Sequence, residues 1–311
     1  MNEFETIAKY FRPLTMGRDD LLDDAAVIDI PAGDELVVTS DTLNEGVHFL
    51  QGERAEHIAR KALRTNLSDL AAMGARPHCY QLNIAFPEKP TEKWLTEFSN
   101  VLQSENETFG IYCSGGDTTS LKGNHLSISI TAMGIVPSGK AIRRGGAQEG
   151  DVILVTGSIG DAVLGLKTLQ EGGDEAQYLN AVKRYRMPQP RTDMIDTMQK
   201  YAHAAADISD GLLADCVHIA RASKLTAEIN LDQIPLSDEV RRAVDQGMIT
   251  TEQAIKGGDD YELIIAAAPQ NVAQFKNATP IGKFTSGQQL LKVISSDDFD
   301  CDTENLGWTH F

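Results

Sequence analysis

Cysteine is scarce. Cys79, Cys113, Cys216 and Cys301 are widely separated in a chain of 311 residues and form no CxxC pair. That excludes a disulfide framework, and the apolar neighbours of these residues read as those of buried, reduced thiols. Long apolar runs are also missing, and none approaches the length that spans a bilayer. The opening residues Met1-Asn2-Glu3-Phe4-Glu5 lack the basic and apolar regions of a secretory signal, so a cytoplasmic protein without a membrane partner is expected. Basic residues are few: 28 Lys and Arg stand against 45 Asp and Glu, for a formal charge of −17. A polyanion would be repelled by such a surface, which excludes nucleic acid as a general partner. A small anionic substrate stays open, because a bound divalent cation reverses the local sign.

Several catalytic motifs are absent. There is no GxGxxG fingerprint, no HExxH and no nucleophile elbow. Gly134 to Lys140 has the spacing of a P-loop, but Ala141 stands where a hydroxyl should meet Mg²⁺, and Pro137 has no N–H to donate to phosphate. Composition is otherwise ordinary, with 41% hydrophobic and 23% charged residues. The length allows two domains, each with its own core.

What the chain does have is Asp, in short clusters with Gly, Ser, Thr or Asn beside them. These are Asp23-Asp24, Ser40-Asp41-Thr42, Asn66-Leu67-Ser68-Asp69, Gly115-Gly116-Asp117-Thr118-Thr119 and Asp207-Ile208-Ser209-Asp210. Carboxylates converging from strand ends repel one another unless cations lie between them. Hard oxygen ligands of this kind suit Mg²⁺, which keeps waters and bridges to phosphate oxygens. The clusters therefore point to Mg-dependent phosphoryl transfer or nucleotide binding. A protein that merely binds divalent cations for stability is the other reading, although no EF-hand repeat supports it.

Periodicity places the clusters. Residues 2–11 read as an amphipathic helix with Phe4, Ile7, Ala8 and Phe11 on one face. A strand over 35–40 puts Asp41 at its carboxyl end. A helix over 57–73 carries Ile58, Ala62, Leu63, Leu67 and Leu70 on one stripe, with Gly74 as its cap and Pro77 beyond. Asn66 and Asp69, three apart, share a polar edge of that helix. Strands over 79–85, 110–113 and 126–136 and a helix over 92–106 complete an α/β domain ending near residue 137. In the second domain, strands over 152–156, 204–208 and 261–268 alternate with helices ending near 170, 202 and 223.

Each junction also has a structural explanation. Gly115-Gly116-Asp117 is either a close backbone approach to a ligand or a strand-to-turn junction with an Asx cap. Ser209 or Asp210 could simply cap the next helix. His48 is structural or phosphate-binding, and Arg143-Arg144 is solvated or phosphate-neutralising.

In this order, the clusters resemble the thiamine-monophosphate kinase family, whose superfamily includes aminoimidazole ribonucleotide synthetase and selenophosphate synthetase. Besides the clusters named, the resemblance rests on Gly257-Gly258-Asp259-Asp260-Tyr261-Glu262-Leu263 and Gly307-Trp308-Thr309-His310-Phe311, and it runs essentially end to end. It implies an α/β (α+β) two-domain synthetase-like fold. Residues 1–137 would form an ATP- and Mg-binding domain whose mixed sheet pairs across the axis of a homodimer, and 138–311 a C-terminal α/β domain contributing to the nucleotide and substrate sites. The implied reaction is ATP-dependent phosphorylation of thiamine monophosphate to thiamine diphosphate, with several Mg²⁺ ions. The implied metal ligands are Asp24, Ser40, Asp41, Asp69, Asp117, Asp207 and Asp210. Gly116, Asp117, Arg144 and Ser209 would meet ATP, and His48, Asp259 and Trp308 would meet thiamine monophosphate. Two departures stand out: Leu21-Leu22 replaces a Gly-rich turn before the paired acids, and Asp259 replaces a Glu. No general base is expected, because the acceptor is itself a phosphate with a second pKa of about 6. A related ATP-dependent synthetase is the alternative, but selenophosphate synthesis calls for a reactive Cys near the N-terminus, and the first here is Cys79.

Overall fold

A computed structural model describes residues 3–18, 21, 23–295 and 306–308. Cys301, Leu22 and the terminal Thr309-His310-Phe311 lie outside the described residues. The chain divides into two units, Met1–Leu70 with Ala75–Gly139, and Ala71–Gly74 with Lys140–Phe311.

The first unit begins with α1 (Glu3–Thr6), which runs on as a π turn over Ile7–Phe11 and a 3₁₀ turn over Arg12–Thr15. The extra residue of the π turn rotates the expected apolar face. Tyr10, Phe11 and Leu14 are buried, while Ala8 is exposed. Then come β1 (Asp34–Asn44), α2 (Ala55–Ala72), β2 (Arg76–Phe86), α3 (Glu92–Phe109), β3 (Tyr112–Ser120) and β4 (Ser127–Pro137). The strands form a mixed sheet in the order β1-β4-β2-β3, antiparallel except for the parallel pair β2–β3 that α3 connects.

The helices cover one face of this sheet. Ile58, Ala62, Leu63, Leu67 and Leu70 of α2 are all buried, as the stripe predicts. Trp94 of α3 stacks on Phe98 at 4.7 Å and meets Phe86 of β2 edge-on at 5.3 Å. Thr91 caps α3 by accepting from Trp94 N at 3.1 Å, and Gly110 closes it in the left-handed conformation. The other face carries Val38, Ser40 and Thr42 beside Ser129 and Thr131, with Gln81 and Asn83 further across. Val38 remains 56% exposed there, which leaves an open sheet face.

The second unit contains β5 (Val152–Thr156), α4 (Asp161–Gln170), α5 (Leu179–Arg186), α6 (Ile195–Tyr201), β6 (Ala202–Asp207), α7 (Leu212–Ser223) and β7 (Thr226–Asn230). It continues with α8 (Asp238–Asp245), α9 (Thr251–Lys256), β8 (Leu263–Ala267), β9 (Ala278–Thr285) and β10 (Leu291–Ile294). The sheet order is β10-β7-β9-β5-β8-β6. Every residue of β8 is buried, as befits a strand covered on both faces. Ile264 and Ala266 join a core with Leu212, Cys216 and Ile219 of α7. Leu263, Ile265 and Ala267 join another with Met194, Met198 and Phe275.

Candidate active site

In β1 the two-residue alternation separates neighbours. Thr39 and Asp41 face α2, whereas the Ser40 hydroxyl bonds Thr131 Oγ1 at 2.9 Å on the opposite face. The sequence reading put Asp41 at the end of its strand. The strand instead continues to Asn44, because β4 pairs with it all the way to Ser127. Asn66 is fully buried and spends its amide on scaffolding: Oδ1 accepts from Asp41 N at 3.2 Å and Nδ2 donates to Ala62 O at 3.1 Å. Asp69 accepts from the Thr39 hydroxyl. Burial and then the Asp69 charge push the Asp41 carboxyl up to about 6, against the lowering effect of the Thr65 hydroxyl. Two carboxylates held together by a helix and a strand are thus strained toward taking up a proton or a cation.

Three other predicted residues meet elsewhere in this unit. β3 was expected to stop at Cys113, but it continues through Gly115 and Gly116 to Ser120 along the whole second half of β2. Gly116 sits at φ +150°, and a Cβ there would lie 1.9 Å from Leu82 O, so the strand can pass only as glycine. The junction opens onto a cavity of about 360 Å³ lined by Asp23, Asp24, Asn83, Gly115, Gly116 and Asp117 among others. Asp24 and Asp117 are therefore brought together despite Leu21 in place of the glycine turn. Asp41 and Asp117 are not. They lie on β1 and β3, the two edges of the sheet, and three strand spacings of ~4.8 Å put about 14 Å of sheet between them.

His48 accepts from Asn44 N at Nδ1 (3.0 Å), which puts the proton of the neutral ring on Nε2. Its carbonyl accepts from Lys61 Nζ at 2.8 Å, and Lys61 is only 2% exposed. A buried lysine of α2 thus pins the turn that presents the imidazole.

In the second unit, backbone hydrogen bonds lace three segments together. Asp207 ends β6, and Ile208 N donates to Glu262 O at 2.8 Å. Tyr261 N returns to Ile208 O (2.8 Å), Asp259 N to Ser209 O (2.9 Å) and Trp308 N to Asp210 O (2.8 Å). Ser209, Asp210, Asp259 and Trp308 are thereby gathered, and Gly258 allows the approach, since a Cβ there would lie 2.3 Å from Ser209 O. Asp259 (φ +68°) and Tyr261 (φ +50°) hold left-handed backbone, a strain that such surroundings must enforce. The Tyr261 hydroxyl also donates to Asp259 Oδ1 at 3.2 Å.

Buried acids hold this frame. Glu262, fully buried, accepts from Arg184, Arg191 and the Thr156 hydroxyl. Asp260 accepts from Gly160 N (2.8 Å) and Ala162 N (3.3 Å) at the start of α4, and burial pushes its carboxyl up to about 8. Asp215 Oδ2 accepts from the N–H groups of Ser209, Asp210 and Gly211 at 3.1–3.2 Å. Burial and then the Asp210 charge push Asp215 up to about 7. Arg144, exposed on a 3₁₀ turn, acts electrostatically on Asp215 and on His218. Burial, then Arg144 and Arg221, lowers the His218 pKa. Sequence reading missed Asp215, His218 and Tyr261. The Asp-x-x-His spacing on the helix after Ser209-Asp210-Gly211 was the available signal for the first two.

The chain resembles known proteins over nearly its whole length. The AIR synthase related protein, N-terminal domain family matches residues 22–136, and the corresponding C-terminal domain family matches 148–290. Thiamine-monophosphate kinase of Caulobacter vibrioides is 40% identical, over 99% of this chain and 90% of the relative. That of Escherichia coli (strain K12) is 38% identical, over 86% and 83%. Among solved structures, thiamine-monophosphate kinase from Stenotrophomonas maltophilia K279a superposes with a TM-score of 0.84 at 39% identity, covering 93% of this chain and 95% of that one. AaThiL complexed with AMPPCP and TMP gives 0.82 at 30% identity, covering 94% and 93%.

Proposed function

The chain belongs to the AIR synthase related family and, within it, to the thiamine-monophosphate kinases, and from that premise we infer that it transfers the γ-phosphoryl group of ATP to thiamine monophosphate, yielding thiamine diphosphate. The structural observation that carries the reading is the Gly115-Gly116-Asp117 strand, which lines one cavity with Asp24. Backbone that only glycine can occupy, next to paired acids, is a cradle for a metal-bound phosphate chain.

The donor set fits Mg²⁺. Its oxygens are hard, and burial, then the neighbouring Asp69 charge, pushes the Asp41 carboxyl toward protonation. We assign Asp24, Ser40, Asp41, Asp69, Asp117, Asp207 and Asp210 to the metal ions, with the reservation for Ser40 that its hydroxyl faces away from the Asp41 carboxylate. When bound, the ions offset the repulsion between two phosphate groups and the charge that develops on transfer. Gly116, Asp117, Arg144 and Ser209 hold ATP. His48, donating from Nε2, holds the acceptor phosphate, and Asp259 with Trp308 holds the thiamine. Because Asp259 is one methylene shorter than the family's Glu, its left-handed backbone and the Tyr261 hydroxyl are what set its reach.

No side chain has to take a proton from the acceptor, since a phosphate monoester is largely ionised at neutral pH. The residues therefore act by binding two anions and holding them in line. Residues 1–137 supply nucleotide, metal and dimer contacts, and 138–311 complete the nucleotide and substrate sites. A homodimer suits the open face of the first sheet and the placement of Asp41 and Asp117 at its opposite edges, where a second copy could supply what one chain separates. The use of ATP and the burial of Cys79, Cys113 and Cys216 support a cytoplasmic setting. Among the described residues, no helix is long and apolar enough to cross a membrane.

The deciding test incubates the purified chain with ATP, Mg²⁺ and thiamine monophosphate and measures ADP and thiamine diphosphate. Equal formation of both, abolished by chelation, is expected. ATP binding without either product would move the assignment to a synthetase with another acceptor.

A further inference from the structure

Beyond the phosphoryl-transfer residues, α7 carries an arrangement that capping does not explain. Asp215 and His218 are three apart and so share one face of the helix. With Asp210, from the loop just before it, each offers a ligand atom, and the three atoms lie within 4.8 Å of one another. Asp215 is 1% exposed. Its Oδ2 is engaged by the N–H groups of Ser209, Asp210 and Gly211. Its Oδ1 is buried and takes no hydrogen bond from any described residue. A buried carboxylate oxygen left unpaired beside a second carboxylate is costly, and proteins resolve that cost by pairing the charge or coordinating a metal.

We propose that Asp210, Asp215 and His218 form a binding site for a divalent transition ion of the Zn²⁺ or Co²⁺ class. The donors select that class: one imidazole and two carboxylates suit borderline ions, whereas Mg²⁺ favours oxygen alone. Three ligands leave a coordination position for water or a ligand oxygen. The three N–H bonds to Oδ2 orient the Asp215 carboxylate, the support that ligating carboxylates usually have. Asp210 belongs to the nucleotide-metal set as well, while Asp215 and His218 belong to this site alone. The site does not depend on the kinase reading, because it is defined by affinity for the metal without nucleotide.

The test strips the full chain with chelator, adds Co²⁺ alone, and follows binding by equilibrium dialysis and by visible d–d absorption. We expect a bound ion whose absorption marks nitrogen–oxygen ligation. His218→Ala should weaken binding by more than the roughly 10- to 100-fold typical of an outer-shell partner. Asp117→Asn, in the other unit, should leave that absorption intact. Unchanged Co²⁺ affinity in a folded His218→Ala overturns the proposal. Should that variant not fold, the wild-type imidazole decides: Zn²⁺ must shift the His218 ring nitrogens in ¹⁵N spectra, and no shift overturns the site equally.

Discussion

Replacing Asp41 by Asn should stabilise the metal-free protein while removing its activity. Asp41 is buried against Asp69, and its carboxyl rises from an ordinary 3.8 to about 6. At 1.36 kcal/mol for each tenfold change in proton affinity, ionised Asp41 destabilises the fold by roughly 3 kcal/mol. The direction with pH follows from proton counts. Between 3.8 and about 6 the folded state holds a proton that the unfolded chain has lost, so stability falls as pH rises through this window and is flat above it. Asn carries no such penalty. In chelator at pH 7.5, Asp41→Asn should shift the urea midpoint upward by about 1–3 M, taking a urea dependence of ~1–3 kcal/mol per M. Trp94, stacked in the first unit, reports this unfolding when Trp308→Phe removes the second indole. The gap should close as pH drops from about 6 toward 3.8. Adding Mg²⁺ should raise the midpoint of the parent by more than that of the variant, which keeps the other metal-binding acids. A variant no more stable than its parent at pH 7.5, or a gap that ignores pH, refutes the reasoning.

Other substitutions separate binding, chemistry and scaffold. Asp117→Asn should cut turnover with little change in unfolding midpoint, and full activity at saturating Mg²⁺ would remove it from the mechanism. His48→Ala should raise the KM for thiamine monophosphate; an effect confined to ATP would contradict its placement. Gly116→Ala puts a Cβ 1.9 Å from Leu82 O, so β3 must move and ATP affinity should collapse in calorimetry. Wild-type affinity there would show the cradle to be irrelevant. Glu262→Gln leaves Arg184 and Arg191 without their buried counter-charge and should cost about 3–5 kcal/mol, read as faster amide exchange in β8. Unaltered protection would mean that the pair is not structural.

Much of the first unit was legible because its signals are long. The stripe from Ile58 to Leu70 spans several turns, and Gly74 marks the end of α2 where the structure has it; Gly110, read as the first residue of a strand, instead closes α3, which runs on to Phe109. The second unit was harder to read. α8 and α9 are short, and their clearest marks are the side-chain caps Ser237 and Thr250 rather than a long apolar face. β9 and β10 carry Lys, Thr and Gly among their apolar residues, which blurs any strand periodicity. Within the site, spacing suggested Asp41 with Asp69 and Asp24 with Asp117 as parts of one constellation. It could not reveal the sheet order that sets Asp41 apart from Asp117, because order depends on pairings between distant segments. Nor could it show which acids are scaffold. Asp260 and Glu262 stand beside Asp259 in the sequence, yet each is consumed by buried partners on α4, α5 and the segment carrying Arg191.

The position of β8 bears on how the chain is made. In the second sheet it lies between β5 and β6, although it is synthesised after both. The first unit has its last strand by Pro137, but β5 and β6 leave the ribosome without the strand that joins them. At ~5–20 residues per second, roughly 3–11 s separate the end of β6 from β8. During that interval the apolar runs Val152–Thr156 and Ala202–Asp207 keep open edges that other nascent chains can pair with. Stalling before Leu263 therefore gives a chain with one finished half and one adhesive half, and chaperone demand during overproduction should track that stage of synthesis.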